Sequence, residues 1–128
     1  DTVPLARKNP ELARQQLVDL AKSGALSAGP LVIFPEGRIR TPDEPIKFKL
    51  GAFSLAINSK VPIVPVAIHN SAKILPRRAF FAPRPGEIAV EILEPIITTD
   101  MTPDDLHSLR DEAQRRVSDA VDRGVRSA

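Results

Sequence analysis

The chain has no cysteine, no tryptophan and no tyrosine; it holds one methionine, Met101, two histidines, His69 and His107, and five phenylalanines in 128 residues. Without cysteine, disulfides, iron-sulfur clusters and thiolate zinc sites are excluded, and redox chemistry gives no reading of the compartment. Two histidines leave little for any other metal site. No uninterrupted apolar run approaches the roughly 18 to 20 residues of a membrane-spanning helix, and no signal-peptide pattern opens the chain. The shortage of aromatics also argues against a nucleic-acid-binding domain. Single strands are gripped by stacking platforms, and most of the phenylalanines here sit inside apolar runs. With Asp1 first and no methionine before Met101, the chain is expected to be part of something longer.

What the chain does have is 42% hydrophobic residues, enough for one domain with a real core across residues 1–128 and too few positions for two. Its net charge of +2 conceals a gradient. Between Arg38 and Arg84 stand nine basic residues against two acids, Asp43 and Glu44, so this middle third is cationic and the remainder is acidic. Clustered positive charge suits a phosphate-bearing ligand, an anionic membrane surface or a nucleic acid. It also suits a merely solvated surface, so position has to decide.

Periodicity and punctuation predict an α/β arrangement. Asn9 as cap, Pro10 at the first helical position and apolar spacing through Ala13, Leu17, Leu20 and Ala21 predict a helix over about 10–23. Leu31 to Phe34 is a wholly apolar run closed by Pro35 and predicts a strand buried on both faces. Leu50, Phe53 and Ile57 predict a second helix. Ile63 to Ile68 predicts another buried strand, with Pro65 marking an edge or bulge. Glu87 to Leu93 alternates Ile88, Val90 and Ile92 with charged or small residues, as in a strand wet on one face. Thr102 and Asp105 resemble a capping box with Pro103 at the first helical position, opening a last helix to about Arg123 that Gly124 ends. Right-handed crossovers would make the first two strands parallel, giving a mixed, partly parallel sheet flanked by helices.

Ligands in such sheets collect beyond the carboxyl ends of strands, which directs attention to Phe34-Pro35-Glu36-Gly37-Arg38-Ile39-Arg40. Proline stops the strand, and glycine permits a tight turn and a close approach. A carboxylate beside guanidinium groups can take up hydroxyls and a phosphate together. On its own, the motif is more often a plain turn.

Phe34-Pro35-Glu36-Gly37 resembles the third sequence block of the 1-acyl-sn-glycerol-3-phosphate acyltransferase family, usually Phe-Pro-Glu-Gly-Thr-Arg-Ser. Other blocks follow in order. Phe48-Lys49-Leu50-Gly51-Ala52-Phe53 is similar to the family's Phe-Lys-Lys-Gly-Ala-Phe, and Val61-Pro62-Ile63-Val64-Pro65-Val66-Ala67-Ile68 to its fourth block. Val3-Pro4-Leu5-Ala6-Arg7 resembles the end of the second block, with Ala6 in place of aspartate. Pro85-Gly86-Glu87 and Glu94-Pro95-Ile96 resemble the closing pattern.

The resemblance implies a glycerolipid acyltransferase fold, here a carboxyl-terminal, partial domain. It implies transfer of a fatty acyl group from coenzyme A or acyl-carrier protein to lysophosphatidic acid or a related glycerophosphate. The family's general base is the histidine of a His-(x)4-Asp block, which is absent here, so no catalytic residue is expected in this chain. His107 with Glu112 has that separation but sits on a predicted amphipathic helix, and is expected at the surface. His69 is expected to be a wall or core residue. The substrate-binding positions implied are Arg7, Phe34, Pro35, Glu36, Gly37, Arg38 and Arg40. Because Ile39 occupies the family's arginine position, Arg38 and Arg40 compete for the phosphate, and Arg38 is preferred. Val61, Pro62, Ile63, Val64 and Pro65 are implied as a wall of the acyl site. Lys73, Arg77 and Arg78, interleaved with Phe80 and Phe81, suit anionic headgroups or an ordinary loop. No metal or nucleotide cofactor is implied. The expected partners are the lysophospholipid, the acyl thioester, the cytoplasmic face of a membrane and an acyl-carrier protein, with no nucleic acid. The competing reading is a non-catalytic lipid-binding or acyl-carrier-docking module.

Overall fold

The computed structural model describes residues 8–75 and 84–124. Helix α1, Pro10–Lys22, opens where Asn9 accepts a hydrogen bond from the Leu12 amide at 3.2 Å, and Pro10 occupies its first turn. It ends one residue before the boundary expected from sequence. The predicted stripe of Ala13, Leu17, Leu20 and Ala21 is its half-buried face, and no α1 residue is fully buried. Helix α2, Gly51–Ser59, buries Phe53, Leu55, Ala56 and Ile57. A Cβ on Gly51 would lie 2.9 Å from Leu17 Cδ1, so the missing side chain sets how closely α1 lies on α2.

The sheet is a ribbon of two antiparallel strands, β1 Val66–His69 and β2 Ala89–Ile92, with Val66 opposite Ile92 and His69 opposite Ala89. A short helix, α3 Ser71–Ile74, follows β1. The first of these strands starts later than the expected 63–68 because Pro65 has no amide to contribute to a ladder. Pairing is nevertheless carried past it: the Pro65 carbonyl accepts from the Leu93 amide at 3.0 Å, and Ile63 and Ile96 exchange both backbone bonds at 3.0 and 2.7 Å.

Helix α4, Leu106–Arg123, is entered through a turn at Pro103–Asp105 in which the Asp105 carboxylate accepts the Thr102 amide at 2.8 Å. Leu109, Ala113, Val117 and Ala120 fall on one stripe and are buried. Ala67 of β1 and Ala113 and Ala120 of α4 all belong to the buried core, and these small side chains let the helix lie close on the ribbon. The core is completed by Phe48, Phe53, Ile57 and Ile96, with the rings of Phe48 and Phe53 stacked 6.1 Å apart. Thr98, 1% exposed, donates to the Val61 carbonyl at 2.7 Å and ties the chain after β2 to the end of α2.

Two expectations are corrected. Residues 31–34 form no strand, and Val32 and Phe34 are 79% and 73% exposed. A strand exists only with a ladder partner, and none of the described residues supplies one to this run, so the expected parallel pair is not formed among them. The alternation in β2 is present, but its faces are opposite to those expected. Ala89 and Glu91 are partly covered, whereas Val90 and Ile92, with Val66 and Ile68 across the ribbon, make an exposed apolar face.

Candidate functional site

Local chemistry shapes the loop after Phe34. Pro35 presets the backbone for a turn, the Gly37 amide donates back to the Phe34 carbonyl at 3.2 Å, and Gly37 then takes φ +69°. That region is costly for a residue with a Cβ, so glycine is needed at this position. A strap holds the turn from below: the Lys49 amide donates to the Pro35 carbonyl at 2.8 Å. The strap is itself fixed to α4, because the Phe48 amide donates to Gln114 Oε1 at 2.8 Å and Arg110 reaches the Phe48 carbonyl at 3.3 Å. The backbone of the turn is therefore connected to the core through one dipeptide, Phe48-Lys49.

The charged side chains form an alternating chain. Glu36 pairs with Arg40 at 3.0 Å and Arg38 with Glu44 at 2.8 Å, while Arg40 also donates to the carbonyls of Thr41 and Glu44 at 3.2 and 3.0 Å. The structure thus joins Glu36 to Arg40, four residues on, and leaves Arg38 on the outer edge with its side chain 60% exposed. Arg40 is enclosed by three acceptors and holds the loop's shape. Lys49 runs its side chain along the turn, so that a Cβ at Gly37 would meet its Cε and Nζ at 2.9 Å. Phe34 and Ile39, 73% and 72% exposed, give the loop an apolar rim. Arg7 lies outside the described residues, as do Arg77, Arg78, Phe80 and Phe81.

In the fourth block, Pro65 is buried and Val61 and Ile63 are partly so, which puts these three toward the core and the loop beneath it. Pro62 and Val64 are exposed and continue the apolar row of Val66 and Ile68. A hollow of about 340 Å³ opens between β2 and α4, lined by Leu93, Glu94, Arg115, Arg116, Asp119 and Arg123, none of them from the third or fourth block.

The two histidines stand in different surroundings. His69 is 6% exposed on the ribbon's covered face, where its Nε2 donates to Glu91 Oε2 at 3.0 Å, and Arg123 holds the other carboxylate oxygen at 2.7 Å. The His69 hydrogen bond, helped by the charge of Arg123, keeps the Glu91 carboxyl below the usual carboxylate range. No fixed spacing along the sequence points to this carboxylate, because it comes from the neighbouring strand. His107 is exposed, as expected, and Glu112 is engaged by Arg116 at 2.7 Å and Arg115 at 2.9 Å, which lower its pKa.

The family model described as Acyltransferase matches residues 1–69, more than half of the chain. The chain belongs to the acyltransferase family. The matched span contains the turn, the Phe48-Lys49 strap and the whole fourth block, and it ends at His69. Among acyltransferase relatives, the 1-acyl-sn-glycerol-3-phosphate acyltransferase alpha of Mus musculus is 33% identical over 82 residues, covering 64% of this chain and 29% of that protein. The 1-acyl-sn-glycerol-3-phosphate acyltransferase of Saccharomyces cerevisiae is 31% identical over 115 residues, covering 84% of this chain and 37% of its own. The crystal structure of PlsC, the 1-acyl-sn-glycerophosphate (LPA) acyltransferase of Thermotoga maritima, superimposes with a TM-score of 0.70 at 25% identity over 91% of this chain and 47% of that one. The α/β fold is thus that of part of an acyltransferase. The chain spans less than half the length of each of these relatives.

Proposed function

We propose that the protein to which this chain belongs transfers a fatty acyl group to the free hydroxyl of lysophosphatidic acid or a related glycerophosphate in phospholipid synthesis. This chain supplies the part that holds the glycerophosphate. One observation carries the reading: a Pro-Glu-Gly turn, strapped to the core at Lys49 and flanked by guanidinium groups, in a chain whose relatives bear that activity in their names. Arg38 is the guanidinium left accessible for a phosphate, since Arg40 is spent on Glu36 and two carbonyls. Val64, with the exposed apolar row beside it, suits a wall along an acyl chain.

Transfer requires the acceptor hydroxyl to lose its proton as it attacks the thioester carbonyl of acyl-coenzyme A or acyl-carrier protein. His69 is buried against Glu91 and His107 is exposed on α4, which supports a base supplied from outside residues 8–75 and 84–124. No described helix is long and apolar enough to cross a membrane. The cytoplasmic surface of a bilayer, as the place of the lysophospholipid substrate, is the proposed workplace.

Binding of lysophosphatidic acid and of the monoacylglycerol with the same chain, measured by calorimetry, tests the reading. The phosphate-bearing lipid should bind at least tenfold more tightly, a difference of about 1.4 kcal/mol. Equal affinity would defeat it. The chain by itself should show no acyl transfer, and turnover would overturn the assignment of the base elsewhere.

A further inference from the structure

Gly37 takes φ +69°, and the space above it is also occupied. A Cβ there would stand 2.9 Å from Lys49 Cε, 2.9 Å from Lys49 Nζ and 3.1 Å from Lys49 Cδ, so the last half of the lysine side chain lies across the turn. Lys49 is exposed as a residue, yet its course is directed inward to this one point. Its origin is fixed as well: the Lys49 amide is bound to Pro35, and Phe48 before it is held at both backbone groups by Gln114 and Arg110. The neighbouring guanidinium groups have carboxylate partners, Arg40 in Glu36 and Arg38 in Glu44. The Lys49 ammonium has no hydrogen-bond or ion-pair partner among the described residues. A cation laid against a turn and left uncompensated is placed for an anion that the protein does not itself provide.

We infer that Lys49 is the direct cationic contact for a phosphate monoester seated on the Phe34–Gly37 turn, and that Gly37 lacks a side chain so that ammonium and phosphate can meet there. This rests on the glycerophosphate reading above and adds to it a residue that the turn's own sequence does not contain. An ammonium is a compact point charge that tolerates many angles of approach. A lysine contact therefore fits a rotating, singly esterified phosphate, while Arg38 can meet the same group from the outer edge.

The test uses the full chain with short-chain lysophosphatidic acid, the matching monoacylglycerol and inorganic phosphate. Lys49→Met should weaken lysophosphatidic acid binding about tenfold, the usual loss for one charge-assisted contact, and leave monoacylglycerol binding unchanged. Lys49→Arg should recover most of that loss. Lys47→Met removes the same charge two residues away and should stay within about twofold, as expected for a distant, screened charge. Lys49→Gln, measured in parallel with a melting curve for each variant, guards against a general loss of fold. Phosphate binding as tight as the lipid's would assign the site to free phosphate, and weaker binding to the headgroup; both keep Lys49 as the contact. If wild type prefers the phosphorylated lipid and Lys49→Met binds it equally well, Lys49 is not the contact and the glycerophosphate reading survives. Equal losses from Lys47→Met and Lys49→Met would reduce the effect to a diffuse field and overturn the inference. No preference in wild type would remove both.

Discussion

Between Lys8 and Lys47 no described residue is buried, whereas the entire hydrophobic core is drawn from Phe48 onward. The first region carries the Pro-Glu-Gly turn and its charges; the second carries Phe53, Leu109, Val117 and the other side chains that exclude water. Apart from the packing of α1 on α2 and of Ile46 on the core, shape in the first region is set by directional bonds: a cap, a turn, ion pairs and two tethers. Shape in the second is set by packing, which is cooperative and tolerates little change in volume. The lesson is a division of labour, in which a surface loop is tethered to the core through the Phe48-Lys49 backbone and the packing of Ile46.

Changes that break the second region should have the largest effect. Leu109 is 1% exposed, and Leu109→Ala should cost about 2–5 kcal/mol in urea unfolding. Gln114→Ala attacks the joint between the regions. It leaves the Phe48 amide without its acceptor and should cost about 1–3 kcal/mol, with a further loss of lipid binding that Leu109→Ala does not show once corrected for folded fraction. Gly37→Ala forces a Cβ into φ +69° and against Lys49, and should cost about 1–2 kcal/mol in stability while reducing lysophosphatidic acid affinity more than its stability loss explains. Arg38→Gln, at an exposed pair, should shift stability by no more than about 0.5–1 kcal/mol. If Arg38→Gln destabilised the chain as much as Leu109→Ala, the contrast between the two regions would be wrong.

Acid sharpens the same contrast. Glu91 and Glu112 both have carboxyls held below their ordinary range, Glu91 chiefly by its hydrogen bond from His69 and Glu112 by Arg116. A carboxyl with a depressed folded-state pKa contributes stability that is fully present above its unfolded value, about 4.3, and disappears as pH falls through the lower folded value. Melting temperature should therefore fall below about pH 4, in the region that contains the core. Glu91→Gln should flatten that acid limb, and an unchanged pH profile in this variant would show that the ribbon-to-α4 link contributes nothing.

Helices were the most legible part of the sequence because their ends are written locally. Asn9-Pro10 and Thr102-Pro103 placed the starts of α1 and the turn into α4, and Gly124 placed the finish. Strands were less so. Composition identified Leu31 to Phe34 as apolar but could not supply a ladder partner, and alternation in β2 could not say which face α4 would cover. The turn at Gly37 was legible for the same reason as the caps, since positive φ and glycine go together. Its partners were not. Glu36 could be seen near two arginines, but choosing Arg40 over Arg38 depends on how the loop curls, and the His69–Glu91 contact depends on strand register. Lys49 was present in a recognised block, yet its path back across Gly37 is a tertiary fact that spacing along the chain does not encode.

The ribbon has one more consequence, and it concerns handling. Val66, Ile68, Val90 and Ile92 leave one side of a two-stranded sheet greasy and uncovered, between 41% and 73% exposed. Surfaces of this kind adhere to one another as concentration rises. Dilution and mild detergent, more than added salt, should govern whether the purified chain stays dispersed.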